Sequence, residues 1–183
     1  MNIQIKGKEF ENLILFRAAK LQEQKILTLG RYGVQAVMMN NPVTGVPEWQ
    51  VIPSLPDFDG CIYGSGRQLI LEAKVCSQAS YPLHQAGKKH PKQFAHMLRR
   101  AEFGALCYLL LHFNGREMKT KSDPSVTFAI KVHPSLPLWQ EFESAERLSI
   151  NRSEAELFGF PLPWDLYSDR ASKLTPNLTQ LLQ

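Results

Sequence analysis

Apolar and polar positions in this chain change their spacing several times, and each change marks an element. Over residues 9–25 the apolar Phe10, Leu13, Ile14 and Leu21 recur at helical spacing, which predicts an amphipathic helix. Residues 32–39 and 48–52 read as strands on either side of a turn-rich loop, Asn40-Asn41-Pro42-Val43-Thr44-Gly45-Val46-Pro47. Pro56-Asp57-Phe58-Asp59-Gly60 and Leu69-Ile70-Leu71-Glu72-Ala73-Lys74-Val75 alternate apolar with polar around Gly64-Ser65-Gly66-Arg67, the pattern of a hairpin. Residues 90–103 return to helical spacing. Pro91 suits a first turn, Gly104 suits a stop, and Phe94, Met97, Leu98 and Ala101 form the buried stripe. Residues 105–113 are almost continuously apolar, as a central strand covered on both faces would be. Residues 126–132 alternate as one more strand. Beyond them Pro134, Pro137, Pro161 and Pro163 punctuate short helical stretches, with Phe158, Phe160 and Trp164 placed to cap the core.

The predicted architecture is therefore α/β, a mixed sheet flanked by helices. At 183 residues the chain suits a single domain with a full core, and nothing in the pattern marks a second domain. A helical tail is expected over about 134–183 and a projecting hairpin over about 38–50. The longest apolar run, 105–111, is far too short for a membrane span. No leader pattern opens the chain, so a cytoplasmic protein is expected. Cys61, Cys76 and Cys107 lie in apolar strand contexts with no Cys-x-x-Cys pair; they read as buried thiols, not as a disulfide framework or a zinc site.

Chemistry concentrates in the hairpin. Side chains two apart on a strand share a face, so Asp57 joins Asp59 and Glu72 joins Lys74. If the turn closes symmetrically about Ser65 and Gly66, Asp59 falls opposite Glu72 and Asp57 opposite Lys74. Three carboxylates and an ammonium then crowd one patch. Carboxylates so placed repel unless a cation neutralises them. Mg²⁺, with its preference for oxygen ligands, fits, and the Ala73 carbonyl offers one more oxygen. Lys74 beside such an ion could activate or orient a water. The plainer alternative is that these are ordinary solvent-facing strand charges.

The same residues carry a family resemblance. Pro56-Asp57 followed fifteen residues later by Glu72-Ala73-Lys74 resembles the PD-(D/E)xK signature of metal-dependent nucleases. With Ser54, Asp59-Gly60, Tyr81-Pro82-Leu83, His90, Gln93 and His96-Met97 in order, the chain resembles RecU-type Holliday junction resolvases. The resemblance implies a restriction-endonuclease-like core and a Mg²⁺-dependent endonuclease, with Mn²⁺ as a substitute. It implies a homodimer that resolves four-way DNA junctions in recombination and repair. Asp57, Glu72, Lys74 and Gln93 would be catalytic, with Asp57, Glu72, Ala73, Asp59 and Glu11 around the metal. Glu11 is equally well a plain helix-surface glutamate. The segment at 38–50 looks shorter than the family's stalk and lacks its basic residues, which leaves open a nickase or flap-type nuclease, or an inert DNA-binding module.

Charge adds a location. The chain carries a net charge of +4, compatible with a polyanionic partner but not diagnostic of one. Between Glu72 and Glu102 there is no carboxylate, whereas Lys88, Lys89, Lys92, Arg99 and Arg100 are present. A one-sign stretch beside a phosphate-cleaving site is what backbone binding requires. A solvated helix face is the bland alternative. His96 is expected to touch phosphate or to pack in the core.

Overall fold

The computed structural model describes residues 4–31, 36–40, 44–51, 56–84, 90–117, 122–167 and 173–182. Helix α1 (Gly7–Glu23) opens the chain, and strand β1 (Leu27–Arg31) follows directly. Strands β2 (Ala36–Asn40) and β3 (Pro47–Val51) form an antiparallel hairpin in which Met38 pairs with Trp49. Strands β4 (Phe58–Ile62), β5 (Gln68–Cys76) and β6 (Ser80–Pro82) lead to helix α2 (His90–Glu102). Strand β7 (Leu106–Phe113), the short β8 (Arg116–Glu117) and β9 (Ser122–Asp123), and β10 (Val126–Lys131) come next. The tail holds α3 (Pro137–Glu143), β11 (Ser149–Asn151), α4 (Arg152–Phe158), β12 (Gly159–Pro161), β13 (Trp164–Tyr167), β14 (Lys173–Pro176) and a 3₁₀ turn (Leu178–Leu182).

Six strands make the central sheet, in the order β1-β4-β5-β7-β10-β12. The β5–β7 pair is parallel and its other pairs are antiparallel. Parallel neighbours need a crossover, and α2 supplies it. All eight residues of β7 are buried, as its unbroken apolar run predicts. One face of the sheet presents Ile70, Cys107, Leu109 and Leu111 to Phe94, Met97 and Leu98 of α2 and to Trp139 of α3. The other presents Leu69, Leu71, Tyr108 and Leu110 to Phe10, Ile14, Ala18 and Leu21 of α1.

The tail departs from the helical expectation. Its β12 extends the central sheet, with Phe128 paired to Pro161 and Ile130 to Gly159, while β13 and β14 pair with each other. Fully buried His112 meets Thr127 at 2.8 Å, and the Trp164 indole donates to the same Thr127 hydroxyl at 2.9 Å, tying the start of β13 to the core. Phe158 packs against the α2-side core, Phe160 and Trp164 against the α1-side core, so the expected caps do sit on the core. β1 is a strand with no counterpart in the sequence reading. It packs so tightly on β4 that a Cβ at Gly60 would lie 1.9 Å from the Thr28 carbonyl oxygen. Cys76 and Cys107 are buried as expected, but Cys61, one residue from the end of β4, is exposed.

Candidate active site

Asp57 sits one residue before β4, and Glu72 lies in the middle of β5. Phe58 pairs with Leu71 and Asp59 with Ile70, so one step further brings Asp57 beside Glu72. This is a two-residue shift from the expected register. The cause is the turn: it spans the four residues 63–66, closed by Ile62 N–H donating to the Arg67 carbonyl at 2.9 Å, with positive φ at Gly64 and Gly66. A loop centred on Gly64 and Ser65 moves every opposition by two.

Because β4 pairing stops at Phe58, the backbone of the next step has no ladder partner, and the carboxylates take its place. Asp57 N–H donates to Glu72 Oε2 at 2.9 Å, and Ala73 N–H donates to Asp57 Oδ2 at 2.9 Å. Each acid thus holds the other's strand. Lys74 Nζ donates to Asp57 Oδ2 at 3.2 Å and pairs with Glu72 Oε1. Asp57, Glu72 and Lys74 are therefore brought together as expected, on the α2 face of the sheet. The Ala73 N–H points at Asp57, and in an extended strand a residue's carbonyl leaves the same edge as its N–H. Its oxygen is directed toward the acids.

Burial governs the electrostatics. Glu72 is completely buried, and desolvation, with help from the Asp57 charge and against the pull of Lys74, pushes its pKa up to about 7. Burial alone would lower the Lys74 pKa, but the Glu72 and Asp57 carboxylates overcome it and hold the ammonium above the ordinary lysine value. The Tyr81 hydroxyl is raised by burial and then by the same two acids, so it stays protonated. Tyr81 belongs to β6 and lines a cleft of about 450 Å³ with Glu11, Ala73, Lys74 and Ser77. No role for Tyr81 follows from the sequence, since a three-residue strand gives no periodic signal.

The other expected residues do not all join this cluster. Asp59 shares the face of Asp57 but not its cluster: its Oδ1 accepts from Gln68 Nε2 at 2.7 Å, and Gln68 in turn accepts from Arg100. The three-carboxylate patch therefore does not form, and among the described residues no group of three or more His, Cys, Asp or Glu gathers to hold a metal. Glu11 reaches the cleft, yet its carboxylate is paired with Arg31 at 3.0 Å. Gln93 is buried on α2 among the residues that face the sheet. Lys92, Arg99 and Arg100 are exposed along α2 and His96 is half-buried, its pKa lowered by burial and then by Arg100 and Arg99. Lys88 and Lys89 lie outside the described residues.

What remains fits a hard cation. Two carboxylates that repel each other, plus a directed backbone carbonyl, form an all-oxygen donor set of the size Mg²⁺ takes from proteins, the rest being water and substrate oxygen. The buried Glu72 Oε1 makes no properly aligned hydrogen bond and is neutralised only through its contact with Lys74.

No protein-family model matches the chain, and no curated protein matches it. Among solved structures it is similar to Archaeoglobus fulgidus Hjc, a Holliday junction resolvase from an archaeal hyperthermophile. The two share 22% identity at a TM-score of 0.43, over 85% of this chain and 95% of that chain. The protein is of the mixed α/β class, and its central sheet, flanked by helices, carries buried Glu72, half-buried Asp57 and Lys74 together at the open end of a hairpin.

Proposed function

We propose that the protein is a metal-dependent DNA endonuclease acting on branched DNA, with the four-way junction as its leading substrate and recombination or repair as its setting. The observation that carries this reading is the mutual clasp of Asp57 and Glu72 with Lys74 at its rim. Asp57, Glu72 and the Ala73 carbonyl would hold Mg²⁺ or Mn²⁺; when bound, the ion supplies Lewis-acid activation of the phosphodiester and of an attacking water. Lys74 orients that water and stabilises charge on the phosphate. An ammonium cannot accept a proton, so Lys74 serves as a base only once the two acids that hold its proton are engaged elsewhere. Tyr81, kept protonated, can donate a hydrogen bond within the cleft. Glu11, freed from Arg31, would be a further ligand, and Gln93 would approach water or phosphate from α2. The α2 cations would neutralise the DNA backbone. Symmetric cuts call for two sites related by a two-fold axis, hence a homodimer.

The composition of the β2–β3 hairpin favours a second reading. Residues 36–51 contain no lysine or arginine, and Met38 and Val46 are exposed, which suits flapped or nicked DNA better than the centre of a junction. Cleavage of junction, flap and plain duplex in Mg²⁺ or Mn²⁺ tests both readings. Absence of metal-dependent cutting on every form would refute them together.

A further inference from the structure

A second surface lies on the same face of the sheet. Gln68 begins β5, four residues before Glu72, a separation of about 13 Å along a strand. Around it the chain gathers cations and aromatics. Arg100 donates to Gln68, and Arg67 Nε donates to the Gly104 carbonyl at 2.8 Å, across the end of α2. Arg67, Arg99 and Arg100 are all exposed. Phe103 follows the last turn of α2, where Gly104 at φ 88° turns the chain away. It is 86% exposed, the most of the large apolar residues, and Tyr63, in the hairpin turn beside Arg67, is 44% exposed. Neither belongs to a core cluster.

These residues continue a line. His96 and Arg100, four apart, share one edge of α2, a helix about 20 Å long, and Phe103 follows in the turn that caps it, its N–H donating to the Arg100 carbonyl at 3.2 Å. That edge runs beside the hairpin, because Arg100 reaches Gln68, Gln68 reaches Asp59, and the Asp59 charge is felt at His96. Exposed Glu102 is the acidic group next to Phe103, set against the three arginines. An aromatic ring among guanidinium groups matches unpaired nucleotides: bases stack on the ring and on arginine planes while the cations follow the phosphates.

We propose that Phe103, with Arg67 and Arg100, is a stacking platform for unpaired bases, placed at the Gln68 end of β5, which lies ~13 Å along the strand from Glu72. The proposal rests on the nuclease reading and sharpens it: the substrate is duplex DNA with a single-stranded or unstacked segment at that distance from the cut. Platform and active site would grip one strand at two points.

The test uses the full chain in EDTA and fluorescence anisotropy on a blunt duplex and on the same duplex with a single-stranded flap. Phe103→Ala should weaken flap binding roughly tenfold and blunt-duplex binding less than about twofold, with Phe103→Trp restoring the flap affinity. 2-Aminopurine in the flap should be quenched by wild type and not by Phe103→Ala. Equal losses on both DNAs, no loss on either, or a change in sedimentation showing that Phe103 packs against a second copy would each overturn the platform. Nicking of supercoiled plasmid in Mg²⁺ separates the two ideas. No nicking by wild type refutes the nuclease reading, whereas nicking by both proteins with identical flap binding refutes the platform alone.

Discussion

At its first residue, Gln68, strand β5 meets an exposed arginine; four residues later, at Glu72, it carries a carboxylate with no solvent exposure. The two places differ in how their charges are held. At Glu72 the groups are locked by hydrogen bonds to Asp57 and by Lys74, in surroundings that shift two pKa values. At Gln68 the cations are exposed, Arg100 donating to Gln68 and Arg67 to the Gly104 carbonyl. Burial makes charge chemically potent and costly, whereas exposure makes it cheap, additive and sensitive to salt. On the proposed function, the acidic clasp is where bonds would be broken and the basic edge where a polyanion would be held.

Substitutions can separate these roles. The largest effect is expected at the clasp: Asp57→Asn or Glu72→Gln should lower Mg²⁺-dependent cutting by at least ~10²-fold. Binding to the same DNA in EDTA should change less than about twofold, as gel-shift titration would show. Equal losses in both assays would make the clasp a structural feature only.

Next in size is stability. Lys74→Ala leaves buried Glu72 and half-buried Asp57 without their cation and should cost about 3 kcal/mol in urea unfolding at pH 8 without metal. Because the folded pKa of Glu72 is raised to about 7, its contribution is fully present below the ordinary carboxylate value of 4.5 and is lost as pH rises through about 7. The metal-free protein should therefore be less stable at pH 8 than at pH 5. Glu72→Gln should flatten that slope, and Mg²⁺ should restore stability at pH 8 in wild type by binding the folded form.

Smaller effects belong to the basic edge. Lys92→Ala and Arg99→Ala should each weaken DNA binding a few-fold and reduce the slope of log affinity against log salt by about 1, with little dependence on DNA form. Smallest of all, Cys61→Ser should shift stability by no more than about 0.5 kcal/mol, since that thiol is exposed. A larger cost would contradict its outward placement.

Much of this was readable from residue order. The apolar run of β7, the α2 stripe and the alternation of β5 are signals that burial enforces directly, and they located the sheet, its crossover and the acid pair. Register was not readable, because the expectation took Ser65 and Gly66 as the turn centre whereas the loop uses Tyr63 and Gly64 as well. That two-residue shift moved Asp57 to Glu72 and sent Asp59 to Gln68. β1 gives too short a signal, since its alternation covers only Leu27-Thr28-Leu29 before Gly30-Arg31. The strands of the tail are three or four residues long, below the length at which periodicity speaks. Phe103 lies outside the buried stripe at the end of α2, and residue spacing does not show how exposed it is.

Strand β12 closes one side of the central sheet with Pro161 at its end. A proline has no N–H to offer a newcomer, and three residues present too short a template for another strand to align on. Molecules crowded at high concentration would find no purchase there for growth into fibres.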